Sequence, residues 1–538
     1  MRNLKSILLL VVLSVIALII VGCSGQENGS TNTDSNSNPN PSNNSGETDT
    51  TARTEGGVLE FAFNAQPPTL DPLATTATAT RDFARTMFEG LVTFDSNYQI
   101  QPLLAESFEV NQEENQVIFK IRKGVKFHNG KDLTVDDVVA SMERWATKSA
   151  QAKSFLPGIT FSAPDDETVV AQLEKTGFVD MYIFADQTQI AAIMPKEIAQ
   201  QEEVKEYIGT GPYKFVEWKQ DQYILVEKFD EYVSPEGEPD GLAGKREVFV
   251  DQIKFNIVPD SITRVTGLQT GEYHVGNFIP YDSFQMLDSD PNVEMKIVES
   301  SMGGLVFNKA KGVFSDIKMR QAVAAALDID AINFAAYGDE KFFSKSPQLM
   351  LESQIDWYTD AGSENYNQKN IEKAKQLIEE AGYNGEVIRI ITSREYEDYY
   401  AFCVVAHEQL KAIGLNVELE VYDWATVLEK RQNPDIYEIF ASGWALRPTP
   451  VQYPFLDSAG AWPGWTNSEE IDSAIFNIRN AQSAEEAKEH TVKLQTAFWD
   501  YVPIIKMGNS MEISSYRSNV QGFDYFIGPV LWNVSIEK

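Results

Sequence analysis

The sequence predicts an α/β fold, and two observations support that prediction. Along the body of the chain the apolar pattern switches repeatedly between a period of two and a period of 3.6 residues, typical of strands alternating with helices. Residues 371 to 421 then contain two consecutive helix–glycine–strand units. Units of this kind in series indicate a sheet covered by helices.

The first local unit is a strand, a turn and a helix. Val117, Phe119 and Ile121 alternate with polar neighbours, which predicts a half-buried strand, and Asn129-Gly130 is a pair suited to positive φ in a tight turn. Thr134 with Asp137 three positions later forms a capping-box pattern that predicts the start of a helix.

The two later units follow the same logic. Apolar residues at helical spacing from Ile371 to Ala381 predict a helix ended by Gly382, before a strand from Val387 to Ile391. A second helix, from about Tyr396 to Ile413, is ended by Gly414. The alternating residues from Leu415 to Val421 predict the next strand.

The amino terminus combines a positively charged start, a short apolar run and a cysteine. Arg2 and Lys5 precede an apolar run from Leu8 to Gly22 that is too short to span a bilayer comfortably, so residues 1–22 are interpreted as a signal peptide. Cys23 directly follows small residues and precedes a long polar tract, which resembles the lipobox of bacterial lipoproteins. The resemblance implies that the Cys23 thiol is diacylated and becomes the mature amino terminus.

Residues 23–56 are predicted to form the acylated cysteine and a disordered tether. The tract is nearly all Ser, Asn, Thr, Gly, Asp and Pro, and it therefore lacks the apolar side chains needed for a core. A flexible chain of this length reaches about 30 Å. We expect it to link the membrane to the folded body, on the extracellular face of the cell membrane, or on the periplasmic side if the organism has an outer membrane.

The folded body is long, acidic and without disulfides. Gly57 to Lys538 is 482 residues, enough for two or three domains. Cys403 is the only cysteine besides Cys23 and lies in an apolar stretch, which predicts a buried, inert thiol. The net charge is −34, and −36 without Arg2 and Lys5, so the chain should repel nucleic acid.

Five segments, in order, carry a resemblance that covers nearly the whole body. Two are long: Leu104 to Val139, which includes Phe119-Lys120-Ile121-Arg122-Lys123-Gly124-Val125-Lys126-Phe127-His128-Asn129-Gly130-Lys131, and Gly209-Thr210-Gly211-Pro212-Tyr213-Lys214-Phe215 with Glu217-Trp218. Three are weaker: Pro67 to Pro72 with Glu89-Gly90-Leu91, Asn308 with Arg320-Gln321-Ala322, and Ala374-Lys375 to Ala381-Gly382-Tyr383. The chain resembles the family 5 extracellular solute-binding proteins, the oligopeptide, dipeptide and nickel receptors of ABC importers.

The resemblance implies a two-lobed periplasmic-binding-protein-like fold of type II, in the large cluster that has an extra inserted domain. The ligand cleft would lie between the lobes, which close on a solute by a conformational change rather than by chemistry. The implied first lobe is residues 57–88, 206–278 and 500–538. The implied inserted domain is residues 89–205, and the implied second lobe is residues 279–499.

The resemblance also implies a ligand-binding segment at Ser442-Gly443-Trp444-Ala445. In peptide-binding members, backbone groups here bind the peptide main chain, and an aspartate about three residues after the tryptophan pairs with the α-ammonium. This sequence has Arg447 at that place. A guanidinium favours a carboxylate or phosphate over an ammonium. The alternative is a solvent-facing Arg447 with the acid supplied elsewhere, such as by Asp457.

Aromatic residues near this segment are candidates for covering ligand side chains or sugar faces. Trp444 and Trp465 are the candidate rings, whereas Trp424 and Trp462 are expected in the core. Asn64, after the first strand, and Trp532, near the carboxyl terminus, are the predicted first-lobe contacts.

Other chemistries have little support in the sequence. His128, His274, His407 and His490 are scattered, so no metal site and no cofactor are predicted, and His128 is expected to have a structural role. No nucleophile-elbow serine or phosphate loop is present. A secreted hydrolase stays open as an alternative class, because carboxylate pairs formed only in three dimensions leave no local pattern.

The sequence therefore predicts a monomeric, lipid-anchored receptor, not an enzyme, that captures an oligopeptide and delivers it to the permease and ATPase subunits of an ABC importer. An oligosaccharide or a nickel or other metal chelate is the alternative ligand. A signalling receptor that binds peptide without transport is a further alternative.

Overall fold

The computed structural model describes residues 53–538, so the predicted signal peptide, Cys23 and most of the tether lie outside the described residues. The strands are β1 Val58–Phe63, β2 Val92–Phe94, β3 Ile100–Pro102, β4 Ala105–Asn111, β5 Gln116–Ile121, β6 Thr160–Ser162, β7 Thr168–Gln172, β8 Tyr213–Lys219, β9 Tyr223–Lys228, β10 Gln252–Ile257, β11 Val275–Gly276, β12 Val293–Phe307, β13 Phe343–Ser344, β14 Ile388–Ser393, β15 Val417–Tyr422, β16 Ile439–Ala445, β17 Ile504–Arg517, β18 Val520–Gln521, β19 Asp524–Tyr525, β20 Pro529–Val530 and β21 Ser535–Ile536. The α-helices are α1 Thr78–Met87, α2 Val135–Lys148, α3 Ala150–Phe155, α4 Asp180–Phe184, α5 Lys196–Ala199, α6 Ser261–Thr270, α7 Phe284–Asp288, α8 Ile317–Ala326, α9 Ile329–Tyr337, α10 Ile371–Glu380, α11 Glu397–Ala412, α12 Trp424–Lys430, α13 Glu469–Asn480 and α14 Ala484–Tyr501.

One sheet of eleven strands runs through both halves of the described chain. Its strand order is β15-β14-β16-β12-β17-β11-β1-β10-β9-β8, with β13 paired to β17. We call the body around β8, β9, β10, β1 and β11 the first lobe, and the body around β14, β15 and β16 the second lobe. The long antiparallel strands β12 and β17 connect the two lobes. The prediction of a two-lobed α/β fold is confirmed.

Each lobe has its own apolar core. The first-lobe core contains Phe61, Phe83 and Phe255, all fully buried. The second-lobe core contains Phe402 and Cys403 from α11, packed on the sheet. Burial raises the pKa of the Cys403 thiol to about 12, which agrees with the predicted inert cysteine.

The predicted helix–glycine–strand units are present. Helix α10 is followed by Gly382 at φ 70° and by β14, and α11 is followed by Gly414 at φ 95° and by β15. Strands β14 and β15 pair in parallel, as a crossover through α11 requires. The Thr134 capping box also forms at the start of α2, where Thr134 accepts from the Asp137 N–H and Asp137 accepts from the Thr134 N–H.

A separate four-stranded sheet lies between β3 and β8 in the sequence. Its order is β4-β5-β7-β6, α2 packs against β6 and β7, and α3 packs against α2 and α4. We call this sheet with α2 to α5 the inserted domain. The limits predicted for it, residues 89 to 205, and for the two lobes stay predictions.

Two of the motif segments meet where the inserted domain joins the first lobe. His128 accepts from the Gly209 N–H at its Nδ1 (3.3 Å), so its Nε2 carries the hydrogen that is donated to the Gly211 carbonyl (3.0 Å). Gly209 has no room for a side chain, because a Cβ there would lie 2.1 Å from the Met87 carbonyl oxygen.

A buried carboxylate completes this contact. Glu89 accepts from the Thr210 hydroxyl (2.9 Å), the Tyr232 hydroxyl (2.8 Å) and the Arg246 guanidinium (3.1 Å), so both carboxylate oxygens are hydrogen-bonded. We call Glu89, His128, Gly209, Thr210 and Arg246 the signature junction. Its role is structural, as expected for His128.

Candidate functional site

A cavity of about 500 Å³ lies between the two lobes, where β12 and β17 cross from one to the other. This volume is typical of small-molecule sites. The first lobe contributes the start of α1, Glu512 and the loop of residues 525–528, and the second lobe contributes β12, residues 351–353 and the end of β16. The lining residues are Thr78, Arg81, Ser96, Tyr98, Phe278, Val298, Glu299, Ser300, Ser301, Leu351, Ser353, Ala445, Leu446, Glu512, Tyr525, Phe526, Ile527 and Gly528.

A cavity of similar size, about 540 Å³, is built from the second lobe alone, mainly from α13 and α14. Closing one lobe on the other would not enclose it. The cavity between the lobes is therefore the candidate ligand site.

A buried cluster of charges lies on the first-lobe side of this cavity, which its member Arg81 lines. Arg81 donates from Nε to Asp82 Oδ1 (2.7 Å), and Arg85 donates from Nη2 to the same oxygen (3.3 Å). Arg85 is anchored further by the carbonyl oxygens of Phe526 (3.2 Å) and Ile527 (2.7 Å). Two guanidinium groups thus share one carboxylate.

A second acid lies in the same cluster. Glu512 on β17 is 9% exposed, and its Oε1 is buried without a hydrogen-bond partner within residues 53–538. Burial raises the pKa of Glu512 to about 7, and burial also raises the pKa of its neighbour Tyr525 well above the usual value. We call Arg81, Asp82, Arg85, Glu512 and Tyr525 the cleft wall.

Gly528 lets the backbone close over the cleft wall. Its φ is 119°, and a Cβ at this position would lie 2.5 Å from Asp82 Oδ1 and 2.9 Å from Arg81 Nη2. A glycine is required here both for the conformation and for the space. The loop of residues 525–528 therefore lies close against Arg81 and holds Arg85 through two carbonyl oxygens.

The floor of the cavity is an irregular part of the sheet. The register between β12 and β17 shifts between Glu299 and Ser301, so Ser300 is the extra residue of a β-bulge. Bulges are frequent beside functional sites, where they redirect side chains. The Ser301 and Ser510 hydroxyls share a hydrogen bond of 2.6 Å next to this bulge.

The edge of β16 at the cavity is open. Leu446 donates its N–H to the Ser300 carbonyl on β12 (3.1 Å). In an antiparallel strand the backbone N–H and C=O groups of successive residues point alternately toward and away from the neighbouring strand. The backbone groups of Gly443 and Ala445 therefore point away from β12. On that side β14 pairs with β16 only at Ile439 and Phe440. Within residues 53–538 no strand pairs with this edge of Ser442–Ala445.

The predicted segment Ser442 to Ala445 forms the end of β16, but only Ala445 lines the cavity. Ser442 is buried. Gly443 lies against Tyr399, because a Cβ at position 443 would be 2.4 Å from the Tyr399 hydroxyl oxygen. The Trp444 ring, 7% exposed, packs against Phe455 and Trp462 with centroids 4.6 and 5.7 Å apart.

Arg447 contacts the inserted domain. Its Nη1 donates to the Thr188 hydroxyl (3.1 Å), its N–H donates to the Tyr453 hydroxyl (3.2 Å), and its carbonyl accepts from Gln354 (2.7 Å). Neither Arg447 nor the alternative acid Asp457 lines the cavity. Their contact with a ligand stays a prediction.

The other predicted contacts lie outside the cavity lining. Trp465 packs against Tyr437 (6.3 Å between centroids), and the Asn64 N–H donates to Asn277 (3.3 Å). Trp532, 1% exposed, lies beneath the Arg246 guanidinium, 4.2 Å from its ring centroid. The structure brings Ala445 to the cavity but does not gather the predicted residues into one cluster.

Sequence reasoning missed the cleft wall. Arg81 and Asp82 occupy ordinary helix positions, and the contact that anchors Arg85 joins residues 442 positions apart. A pair of arginines flanking an aspartate at helical spacing was the only local signal. Within residues 53–538 no group of three or more metal-binding side chains is present, and no helix there has the length and apolarity to cross a membrane.

The sheet, the connecting strands and the cavity between the lobes define the class of two-lobed periplasmic binding proteins. The family model for bacterial extracellular solute-binding proteins, family 5, matches residues 99–466. The chain belongs to this family. Its members are substrate-binding proteins of ABC transporters rather than enzymes, and so is this chain.

Two relatives and two solved structures illustrate the similarity. The probable peptide ABC transporter periplasmic-binding protein y4tO of Sinorhizobium fredii is 27% identical over 490 residues, covering 86% of this chain and 91% of the relative. The oligopeptide-binding protein AppA of Bacillus subtilis is 26% identical over 570 residues, covering 99% of this chain and 98% of the relative.

The structure of AppA from Bacillus subtilis in complex with a nonapeptide has a TM-score of 0.71 at 23% identity, covering 90% of this chain and 100% of that chain. AgaA from A. tumefaciens R10, in complex with agropinic acid, has a TM-score of 0.71 at 24% identity, covering 90% of this chain and 99% of the AgaA chain. At this identity the two structures show the fold alone.

Proposed function

We propose that this chain is a lipid-anchored receptor that captures an oligopeptide between its lobes and delivers it to an ABC importer permease. The observation that supports the proposal best is the open edge of β16 beside a cavity of about 500 Å³. An extended peptide binds to a sheet edge through main-chain hydrogen bonds, which demand no particular sequence.

The relatives agree with a peptide ligand. The name of y4tO describes a peptide transporter component, and AppA is named for oligopeptides and was solved with a nonapeptide. Other relatives are named for different solutes, glutathione in GsiB of Escherichia coli and agropinic acid in AgaA. The peptide proposal therefore depends on the strand edge and not on the family alone.

Contacts between the second lobe and the inserted domain support the closing of the cleft. Gln452 donates to Asp186 (2.8 Å), and the Phe178 N–H donates to the Ala481 carbonyl (2.7 Å). These contacts join the second lobe directly to the inserted domain. We expect them to form when the lobes close over the solute.

The primary test is the native mass spectrum of freshly purified residues 53–538, a fragment that keeps the contact of Arg53 with the Asn533 carbonyl. Masses of short peptides retained by the protein would support the proposal and give the preferred length. A single non-peptide mass, such as a saccharide or a metal chelate, would contradict it. Turnover of a peptide or glycoside would instead favour a hydrolase.

A second test examines the strand edge directly. Ala445→Pro removes an N–H that points away from β12, so the β12 ladder is preserved while one ligand hydrogen bond is lost. We expect peptide affinity to fall about threefold to tenfold. Ala445→Val, which keeps the N–H, is the matched control. Equal affinities in calorimetry would argue against binding along this edge.

The lipid anchor is tested separately. Replacing Cys23 with Ala in the full-length chain should release the protein from the membrane fraction into the medium or periplasm. Fractionation followed by immunoblotting measures this release. Membrane association that persists in the variant would contradict acylation.

A further inference from the structure

The cleft wall contains a guanidinium whose charge is only partly compensated. Asp82 is shared by Arg81 and Arg85, so the three groups together carry one net positive charge. Burial lowers the pKa of Arg85 to about 9, which still leaves it charged at neutral pH. Glu512, with its pKa raised by burial to about 7, offsets this charge only in part.

Arg81 is both held in place and available to a ligand. Its Nε is engaged by Asp82, which is 1% exposed, whereas its Nη1 and Nη2 groups make no hydrogen bond within residues 53–538. Arg81 lines the cavity, and its side chain is 15% exposed. A fixed fork of free N–H donors is the geometry that binds a carboxylate through two parallel hydrogen bonds.

The start of α1 adds to the same field. Thr78, the first residue of the helix, also lines the cavity, and Ala77 provides no side-chain cap. The first N–H groups of a helix lack intrahelical partners, and the helix dipole favours negative charge at this end. Arg81 lies one turn into the helix, so the guanidinium and the helix terminus face one region of the cavity.

We propose that Arg81 is the carboxylate anchor of the cleft, so that the ligand is a solute with a free carboxylate, which in a peptide is the carboxyl terminus or an acidic side chain. This inference rests on the proposed function and adds the chemical group that the first lobe recognises. It differs from the sequence-based expectation, in which a guanidinium at Arg447 would favour a carboxylate or phosphate, or would face solvent.

The other acids of the cavity bear on this assignment. Glu299 lines the cavity from β12, where it pairs with Met511, the residue before Glu512. Asp82 is kept away from the ligand by its two arginine partners, and Tyr525 stays protonated because burial raises its pKa.

The test uses two peptide libraries of three to five neutral residues, identical except that one has free carboxyl termini and the other carboxyl-terminal amides. Ligand-free residues 53–538 are incubated with each library, and the retained peptides are counted by native mass spectrometry. We expect the wild type to prefer the free acids about tenfold to a hundredfold, the range for a hydrogen bond to a charged group. We expect Arg81→Gln to lose this preference.

Two further variants make the result specific. Arg81→Lys keeps the charge but not the fork, and it should retain only part of the preference. Lys493, whose side chain is 56% exposed, lies outside the cavity between the lobes. Lys493→Gln removes this positive charge and should leave the preference for free acids unchanged. Circular dichroism is used to check that each variant is folded. If Arg81→Gln does not fold, the reduced preference expected of Arg81→Lys is the test.

The possible failures are distinguishable. Equal retention of acids and amides by the wild type, or an undiminished preference in Arg81→Gln, would overturn the Arg81 proposal while peptide capture stands. Retention of neither library by folded wild-type protein would overturn the peptide function, and the Arg81 proposal with it.

Discussion

The signature junction and the cleft wall both contain buried charged groups, yet they differ in how the hydrogen bonds of their carboxylates are satisfied. At the junction both Glu89 oxygens and both His128 nitrogens have partners, although the Arg246 Nε is buried without one in the described chain. At the cleft wall one oxygen of Asp82 and one of Glu512 are buried without a partner in the described chain. Unpaired buried polar groups cost free energy, so a fold retains them mainly where they serve a function.

The two regions also differ in whether their residues can be recognised in the sequence. Glu89, His128, Gly209 and Thr210 belong to motifs that are recognisable in the sequence, and together with Arg246 they join the inserted domain to the first lobe. The cleft-wall residues belong to no motif, and three of them, Arg81, Glu512 and Tyr525, line the cavity. The most recognisable residues of this chain therefore stabilise its architecture, whereas the proposed binding chemistry lies elsewhere.

The largest expected effect comes from breaking the junction. Glu89→Ala leaves the buried Arg246 guanidinium without its carboxylate, which should lower the free energy of unfolding by about 3–5 kcal/mol. Urea denaturation followed by tryptophan fluorescence measures this change. Glu489→Ala, which removes an exposed partner of Lys493, should cost less than about 1 kcal/mol. Equal losses in both variants would contradict the importance of burial.

Acid should destabilise the junction through His128. Burial lowers the pKa of His128 to about 4, below its usual value near 6.5, so between these values the unfolded state binds more protons. Stability is therefore lost as pH falls from 6.5 to 4, by about 3 kcal/mol in total. The difference in unfolding free energy between wild type and His128→Gln, measured over this range, should shrink toward acid pH. A constant difference would show that His128 is not buried in its neutral form.

The cleft wall should respond to pH in the opposite direction. Burial raises the pKa of Glu512 from its usual 4.5 to about 7, while Tyr525, Asp82 and Arg81 contribute smaller effects. Stability from the protonated carboxyl is fully present below pH 4.5 and is lost as pH rises through 7, by up to roughly 3 kcal/mol.

Glu512→Gln mimics the protonated form and tests this pH dependence. Thermal unfolding of ligand-free protein between pH 4.5 and 8.5 should show the variant gaining stability relative to wild type as the pH rises. Parallel curves would contradict a buried, protonated Glu512.

The smallest expected effect concerns backbone contact at the junction. Gly209→Ala places a methyl group against the Met87 carbonyl, which should cost about 1–3 kcal/mol through local displacement. Gly460→Ala is the matched control, because its nearest neighbour would be 3.6 Å away, an ordinary contact. We expect the control to change stability by less than about 0.5 kcal/mol. The melting temperatures of the two variants give the comparison.

The sequence by itself determined the local elements of this protein. The capping box of α2, the glycines after α10 and α11, and the alternation in β5 depend on residues within a few positions of each other, so their patterns are visible without a fold. The two-lobed architecture followed from a resemblance spread over five segments. Of the predicted site, the sequence located the end of β16, and with it Ala445 at the cavity.

Only the tertiary structure decided what surrounds that cavity. Strand β17 lies between β12 and β11 in the sheet, which brings Glu512 beside Arg81, although these residues are far apart in the chain. The same packing turns Arg447 toward Thr188 and buries Trp444 and Trp532. Periodicity and capping report interactions between near neighbours, whereas the charge of a cleft depends on contacts between distant segments, which leave no local pattern in the sequence.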